Sequence, residues 1–278
     1  MIENRNFTLR IISSFFLILF FLFLTYSREI YFLIFSQIIL FLLNWESLRM
    51  LEFKASGCNN SKNNNFLLTR CKLSKYDVVL ILLINTYVLL YSLSFQYLQI
   101  LLFLIILFYI YKIKIINIPK SLVLSYVCFS LICFIDLRQS LDFINIFIFI
   151  VFFTFLVDVS AYLVGSTLKG KKLAPQISPN KTLSGFFGGI LIPVFFCILV
   201  YGKQNYFFDI ICFSIAMAVV SQIGDLIESI FKRYCNVKDS SNLIPGHGGI
   251  LDRMDSLLLL IIFVSLMKLL DYNFFFIV

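Results

Sequence analysis

Apolar residues along this chain form nine long runs, and polar stretches separate them. The runs cover residues 11–26, 30–45, 78–95, 98–111, 121–135, 143–165, 185–201, 210–230 and 256–276. They are unbroken rather than alternating, which favours membrane helices over the strands of a barrel. Most of them approach the length that crosses a bilayer. The pattern predicts an all-α, polytopic integral membrane protein with about nine transmembrane helices.

Charge is sparse and is placed asymmetrically along the chain. Charged residues make up 14% of the sequence, against about 25% in soluble proteins. With the N-terminus in the cytoplasm, 19 of the 23 lysines and arginines fall on the cytoplasmic side, as the positive-inside rule requires. The net charge of +8 is spread over loops, so we expect no nucleic-acid partner. In the absence of an organelle-targeting segment, we expect a bacterial inner (cell) membrane, with a cytoplasmic active site.

The two halves of the chain differ in their capacity for chemistry. Ten of the eleven glycines lie at or after Gly165. We therefore divide the chain into an N-terminal scaffold, 1–142, and a catalytic region, 143–278, which together form one membrane domain. The scaffold includes a polar cytoplasmic loop at 46–77, with an amphipathic stretch around Leu48 to Phe53.

One carboxylate, Asp158, lies inside the sixth apolar run. A charge within a membrane helix is expensive and usually faces a partner or a cavity. Asp158 therefore belongs either to a substrate site or to an ion pair with a loop lysine that fixes helix packing.

The loop after this run is rich in groups that bind phosphate. It contains Lys169-Gly170-Lys171-Lys172 and then Ser178-Pro179-Asn180-Lys181-Thr182. Lysines, hydroxyls and freed backbone amides bind anions, and a helix that begins near Thr182 adds its positive end. The alternative is that these lysines only set the membrane topology.

Carboxylates recur on one face of the eighth run and at the start of the ninth. Ser221, Asp225 and Glu228 are spaced i, i+4 and i+7, so they share a helix face. Asp252 and Asp255 repeat a spacing of three. Oxygen ligands without a cysteine pair or a second histidine suit Mg²⁺. We predict Mg²⁺, alone or with a second cation, held by Asp225, Asp252, Asp255 and Ser221.

Residues 229–255 hold four cations, three carboxylates and the only histidine, His247. The cations Lys232 and Arg233 are either phosphate ligands or interfacial anchors. For His247 three roles remain open, namely shaping the loop or binding phosphate, transferring a proton, and packing.

The order of residues in this segment resembles the signature of the phosphatidate cytidylyltransferase (CDP-diacylglycerol synthase) family. The matching elements are Ser229-Ile230-Phe231-Lys232-Arg233, Lys238-Asp239-Ser240-Ser241, Pro245-Gly246-His247-Gly248-Gly249 and Leu251-Asp252-Arg253-Met254-Asp255. The stretch Ser178 to Thr182 likewise resembles the SPxKT element of that family. The chain departs from the family at Ser184, where a glutamate is usual. The resemblance is specific from about 158 to 256.

The resemblance implies transfer of the cytidylyl group of CTP to phosphatidate, a polytopic helical fold and a homodimer. The alternatives are a related CTP-using enzyme such as a polyprenol kinase and, from another class, an ion-coupled transporter. The residues expected to be catalytic are Asp252, Asp225, Lys238, Arg253 and His247. Those expected to bind substrate are Lys181, Ser178, Thr182, Lys232, Arg233, Asp239, Gly248, Gly249 and Asp158.

Overall fold

The computed structural model describes residues 19–55, 73–113, 118–202, 207–244 and 248–270. These residues are mostly helical, as the apolar pattern predicts. Residues 19–26 are helical. The further helices are α1 (Glu29–Ala55), α2 (Lys75–Ser92), α3 (Gln96–Ile113), α4 (Ile118–Arg138), α5 (Phe143–Leu168), α6 (Leu183–Tyr201), α7 (Phe207–Tyr234) and α8 (Leu251–Leu269).

Six of these helices, α1, α2, α4, α5, α6 and α7, are long and apolar enough to span a membrane, and Gln96–Ile110 of α3 is a shorter apolar helix. The all-α, polytopic membrane fold is therefore confirmed. The sheet in the described part of the chain is one antiparallel pair, β1 (Lys172–Ala174) and β2 (Ser178–Thr182).

The chain forms two compact units. The first comprises Met1–Asp136 with Tyr234–Arg253, and the second comprises Leu137–Arg233 with Met254–Val278. The predicted division into a scaffold, 1–142, and a catalytic region, 143–278, stays a prediction.

Helix α1 extends ten residues beyond the apolar run that predicted it. We expected a polar loop to begin at Glu46, but the helix continues through Ala55. Its added turns are buried, including Glu46, Leu48, Met50 and Phe53. A buried carboxylate is stable where hydrogen bonds satisfy it, so the charge does not end the helix. The rest of the predicted loop, 56–72, lies outside the described residues.

A buried ion network joins three helices of the first unit. The Lys120 ammonium of α4 lies 2.6 Å from a Glu52 oxygen of α1 and 3.3 Å from an Asp77 oxygen of α2. Asp77 is fully buried, and its backbone N–H donates to the capping hydroxyl of Ser74. Because the Lys120 ammonium binds both carboxylates, this network connects helices α1, α2 and α4.

Close packing of α5 on α6 forms the framework of the second unit. A Cβ atom added at Gly185 would lie 2.7 Å from the Ala161 carbonyl oxygen, and one added at Gly188 would lie 2.5 Å from Val164 Cβ. Small residues allow such close approach of membrane helices. The hairpin β1–β2 connects the two helices and ends at Thr182. The hydroxyl of Thr182 accepts from the Gly185 N–H at 3.1 Å and so caps α6.

Candidate active site

A cavity of about 760 Å³ opens in the second unit, within the size range of small-ligand sites. Four of the residues predicted to act at the site, Asp158, Lys181, Thr182 and Asp225, line it together. The full lining is Asp158, Ala161, Tyr162, Gly165, Ser166, Lys169, Gly170, Lys172, Leu173, Asn180, Lys181, Thr182, Gly185, Phe186, Gln222 and Asp225. Helix α5, the hairpin, the start of α6 and helix α7 therefore meet around one space.

The hairpin gives the cavity a basic side. Lys169, Lys172 and Lys181 all line it. The turn out of α5 uses Gly170, which has a φ of 111°, in the left-handed region that glycine favours. Ser184 donates a hydrogen bond to the Lys169 carbonyl oxygen. The residue that replaces the glutamate usual in the family thus closes the base of the hairpin.

A group of three carboxylates lies beside this cavity. One oxygen each from Asp225, Glu228 and Asp255 lie within 4.8 Å of one another. Asp225 pairs with Lys181 at 2.5 Å, and Glu228 pairs with Lys232 at 2.8 Å. Carboxylates this close repel one another, so the group is stabilised by cations beside it or by a proton on one of its members.

Packing of α7 against the start of α8 brings Asp255 into this group. A Cβ atom added at Gly224 would lie 2.9 Å from the Asp255 carbonyl oxygen. Asp255 precedes the ninth apolar run, and one of its oxygens accepts from the Ser256 N–H at 2.7 Å. Burial, and then the charge of Asp225, raise the pKa of the Asp255 carboxyl above its ordinary value.

The donors in this group fit a hard divalent cation. All three are carboxylates, the ligand type that Mg²⁺ prefers. Ser221, one turn before Asp225 on α7, is fully buried, and its hydroxyl has no hydrogen-bond partner among the described residues. The Ser221 hydroxyl oxygen, on the same helix face as Asp225, is therefore available to bind the cation. The sequence analysis did not include Glu228 among the metal ligands. Its spacing of three residues from Asp225, which places both on one helix face, was the signal that could have identified it.

Asp252, which we also predicted as a metal ligand, is held by the first unit. Its Oδ2 accepts from the Ser240 N–H at 2.9 Å, the Ser240 hydroxyl at 3.0 Å and the Gly249 N–H at 2.8 Å. Gly248 has a φ of 89°, and a Cβ atom there would lie 2.6 Å from the same oxygen. The two glycines therefore let the backbone close around Asp252. Their contact with phosphate stays a prediction, as does the metal role of Asp252.

The remaining predicted residues fall in several places. Lys238 and Arg253 are exposed, and Asp239 is half-buried. The Arg233 guanidinium donates through Nε to the Ile177 carbonyl oxygen of the hairpin turn at 3.0 Å.

Two further predicted residues remain. Ser178 is half-buried in β2, and it is not among the residues that line the cavity. His247 lies outside the described residues, so its three alternative roles stay open.

Sequence reasoning also missed Glu46 of α1, a fully buried carboxylate. It accepts from the hydroxyls of Ser240 at 3.1 Å and Ser241 at 2.6 Å. It also accepts from the N–H groups of Ile250 at 3.0 Å and Leu251 at 2.8 Å. The signal was a lone carboxylate directly after an apolar run, which we interpreted as the start of a loop.

Fold and site together define a polytopic membrane protein in which a lysine-lined cavity adjoins a carboxylate cluster. That combination is suited to phosphate-bearing ligands and a divalent cation. The sequence matches the model of the cytidylyltransferase family over residues 8–270. The chain belongs to the cytidylyltransferase family, and the resemblance noted from its signature is thereby confirmed.

Relatives of this chain include several phosphatidate cytidylyltransferases. The one from Rickettsia conorii is 38% identical over 149 residues, which are 50% of this chain and 64% of the relative. The one from Bacillus subtilis is 46% identical over 110 residues, 38% of this chain and 41% of the relative. The one from Staphylococcus epidermidis is 47% identical over 105 residues, 36% of this chain and 40% of the relative. This chain therefore aligns with between 40% and 64% of the length of these three relatives.

Proposed function

We propose that this protein transfers the cytidylyl group of CTP to phosphatidate, giving CDP-diacylglycerol and pyrophosphate. The observation that carries the proposal is the cluster of Asp225, Glu228 and Asp255 beside a cavity lined by three lysines. Membership of the cytidylyltransferase family and the names of the relatives support the same reaction.

The reaction brings two polyanions together. An oxygen of the phosphatidate phosphate attacks the α-phosphorus of CTP. The bond from that phosphorus to the oxygen that bridges it to the β-phosphorus breaks, and pyrophosphate leaves. The phosphate nucleophile is already largely ionised at neutral pH, so it needs little help from a base. The barrier is mainly one of charge and position.

The basic side of the cavity supplies fixed positive charge for this step. Lys181 connects the two parts of the site. It lines the cavity, and its ammonium pairs with the Asp225 carboxylate at 2.5 Å. Lys169 and Lys172 add two further ammonium groups. The start of α6 directs its positive end to the same region. We assign phosphate binding to these groups and, from the signature, to Lys238, Arg253 and Arg233.

We assign the divalent cation, Mg²⁺, to Asp225, Glu228 and Asp255, with the Ser221 hydroxyl as a further oxygen. A cation bound there would offset the charge of the phosphate oxygens and of the departing pyrophosphate. Lys232, which pairs with Glu228 at 2.8 Å, orients that carboxylate. Asp252 remains the proposed catalytic carboxylate of the signature segment.

We place the protein in a bacterial inner membrane with the site on the cytoplasmic face. The support is the distribution of lysine and arginine over alternate loops. The proposed partners are CTP, phosphatidate, membrane lipids and a second copy of the chain.

The reaction is tested with the purified chain in mixed micelles that contain phosphatidate and Mg²⁺. CTP labelled on the α-phosphate is supplied in one reaction and CTP labelled on the γ-phosphate in another. We expect α-label in CDP-diacylglycerol, dependent on Mg²⁺, and no γ-label in lipid. Transfer of γ-label to a lipid would instead indicate a CTP-dependent lipid kinase. A folded protein that binds no CTP would overturn the proposal and favour the ion-coupled transporter.

A further inference from the structure

The carboxylate of Glu46 in α1 holds residues 240–251, which belong to the family signature and follow it in the chain by about two hundred residues. Glu46 is 0% exposed. Its Oε1 accepts from the Ser241 hydroxyl and the Ile250 N–H, and its Oε2 accepts from the Ser240 hydroxyl and the Leu251 N–H. All four donors come from one stretch, residues 240–251.

These contacts require both oxygens of the side chain to act as acceptors. A carboxylate offers two acceptor oxygens, whereas an amide offers one and turns two donors toward its surroundings. In a glutamine at position 46, the amide nitrogen would face a hydroxyl and a backbone N–H. Charge-assisted hydrogen bonds are also stronger than neutral ones. Position 46 therefore requires a carboxylate, and a glutamine of the same size does not replace it.

Glu46 also fixes the start of α8. The first backbone N–H groups of a helix have no partner within it, and a carboxylate there is favoured by the helix dipole. Ile250 and Leu251, the last residue before α8 and its first, both donate to Glu46. The next two residues of the chain are Asp252 and Arg253, the proposed catalytic pair.

Ser240 links Glu46 directly to Asp252. Its hydroxyl lies 3.1 Å from Glu46 Oε2 and 3.0 Å from Asp252 Oδ2. A hydroxyl has one proton, so it donates to one carboxylate at a time. The N–H groups of Ser240 and Gly249 hold Asp252 in either case.

A second contact joins α1 to Tyr234, the first residue of the stretch 234–253 that belongs to the first unit. The Lys54 ammonium lies 3.0 Å from the centre of the Tyr234 ring, a cation–π contact. Gly249 lies so close to Glu46 that an added Cβ atom would stand 2.7 Å from its Oε1. Helix α1 thus contacts the stretch 234–253 near both of its ends.

We propose that Glu46, outside the signature itself, is a positioning residue that sets Asp252 and Arg253 in place through Ser240 and the first turn of α8. The inference rests on the proposed cytidylyl transfer for its catalytic consequence. The contacts that hold the segment can be tested without any reaction.

The first test is amide hydrogen exchange of the full chain in detergent, comparing wild type with Glu46→Gln. We expect exchange in residues 240–251 to become about tenfold faster or more, because each lost charge-assisted hydrogen bond contributes about that factor. Glu29→Gln is the matched control, since it makes the same change at an exposed position of the same helix and should leave this segment protected. Ser241→Ala, which removes one donor, should give a smaller effect. Unchanged exchange in Glu46→Gln would overturn the role of Glu46.

The second test is steady-state kinetics on the folded fraction of each variant. We expect Glu46→Gln to lower kcat about 10²-fold, as small misplacements of reacting groups do, with KM for phosphatidate nearly unchanged. Because Glu46 and Ser240 act on Asp252 as one unit, Glu46→Gln combined with Ser240→Ala should lose much less than the product of the single losses.

Faster exchange with an unchanged kcat would mean that Glu46 only stabilises the segment, and would overturn positioning. If the wild-type protein transfers no label, the proposed function fails and the positioning role fails with it. The exchange comparison would still decide whether Glu46 holds the segment.

Discussion

The two units hold their carboxylates in opposite ways. In the first unit, the Glu46 carboxylate has four hydrogen-bond donors around it, one of which, the Ser240 hydroxyl, it shares with Asp252. In the second unit, Asp225, Glu228 and Asp255 lie within 4.8 Å of one another, and two ion pairs, with Lys181 and Lys232, serve the three. A carboxylate satisfied by the protein stabilises the fold, whereas a cluster with excess negative charge is suited to binding a cation. We therefore expect substitutions in the first unit to affect stability or placement, and substitutions in the cluster to affect cation binding and catalysis.

The largest effect on stability is expected from Lys120→Met. The change leaves Asp77, which is fully buried, and Glu52 without their shared cation. Breaking a buried ion pair from one side costs about 3–5 kcal/mol. Thermal unfolding in detergent should shift strongly downward, while kcat per folded molecule stays close to wild type. A stable variant with low kcat would contradict the division of roles between the units.

The largest effect on catalysis is expected from Asp225→Asn. The change removes one charge from the cluster and the partner of Lys181. Losing a group that stabilises charge in the transition state costs about 10²–10³ in kcat, or about 2.7–4 kcal/mol. Unfolding should be little affected or become harder, because repulsion within the cluster falls. The Mg²⁺ concentration for half-maximal activity should rise together with the loss.

Asp209→Asn is the matched control for this prediction, because Asp209 lies in the first turn of the same helix. It should leave kcat and the Mg²⁺ dependence unchanged. Equal losses in both variants would remove the cluster as the explanation.

Sequence reasoning succeeded where the cause is local and failed where the partners are distant. Unbroken apolar runs predict helices because lipid leaves backbone groups no other partner. The spacing of Ser221, Asp225 and Glu228 likewise predicts a shared face. The continuation of α1 past Glu46 depends on donors at 240–251, and no local pattern encodes that pairing. For the same reason Asp252 and Asp255 looked alike from the sequence, although Asp252 is held by its own loop and Asp255 joins the cluster.

An intermediate effect is expected from Gly249→Ala, which tests how closely the first unit encloses Glu46. The added Cβ atom would stand 1.8 Å from the Ser240 hydroxyl oxygen and 2.7 Å from Glu46 Oε1. Overpacking of this kind costs about 1–3 kcal/mol. We expect a lower unfolding temperature and faster amide exchange in 240–251.

Gly170→Ala provides the contrast. Its φ of 111° strains an alanine, but nothing lies within 4 Å of the added atom. The cost should therefore be confined to backbone strain, at about 1 kcal/mol, with no change in the exchange of 240–251. A larger loss at Gly170 than at Gly249 would show that the enclosure of Glu46 is loose.

The smallest effect is expected from Ser221→Ala, and it separates two explanations of a buried hydroxyl. The Ser221 hydroxyl is fully buried and has no hydrogen-bond partner among the described residues. If the hydroxyl serves only packing, its removal relieves an unsatisfied polar group and stabilises the protein by about 1 kcal/mol. The Mg²⁺ dependence of activity is then unchanged.

If the hydroxyl is a cation ligand, its removal gives the same gain in stability but also raises the Mg²⁺ concentration for half-maximal activity about threefold to tenfold. Lost supporting contacts at metal sites have effects of this size. We expect the second result. An unchanged Mg²⁺ dependence would restrict the site to the three carboxylates, and the contrast between the units would then rest on Asp225, Glu228 and Asp255 alone.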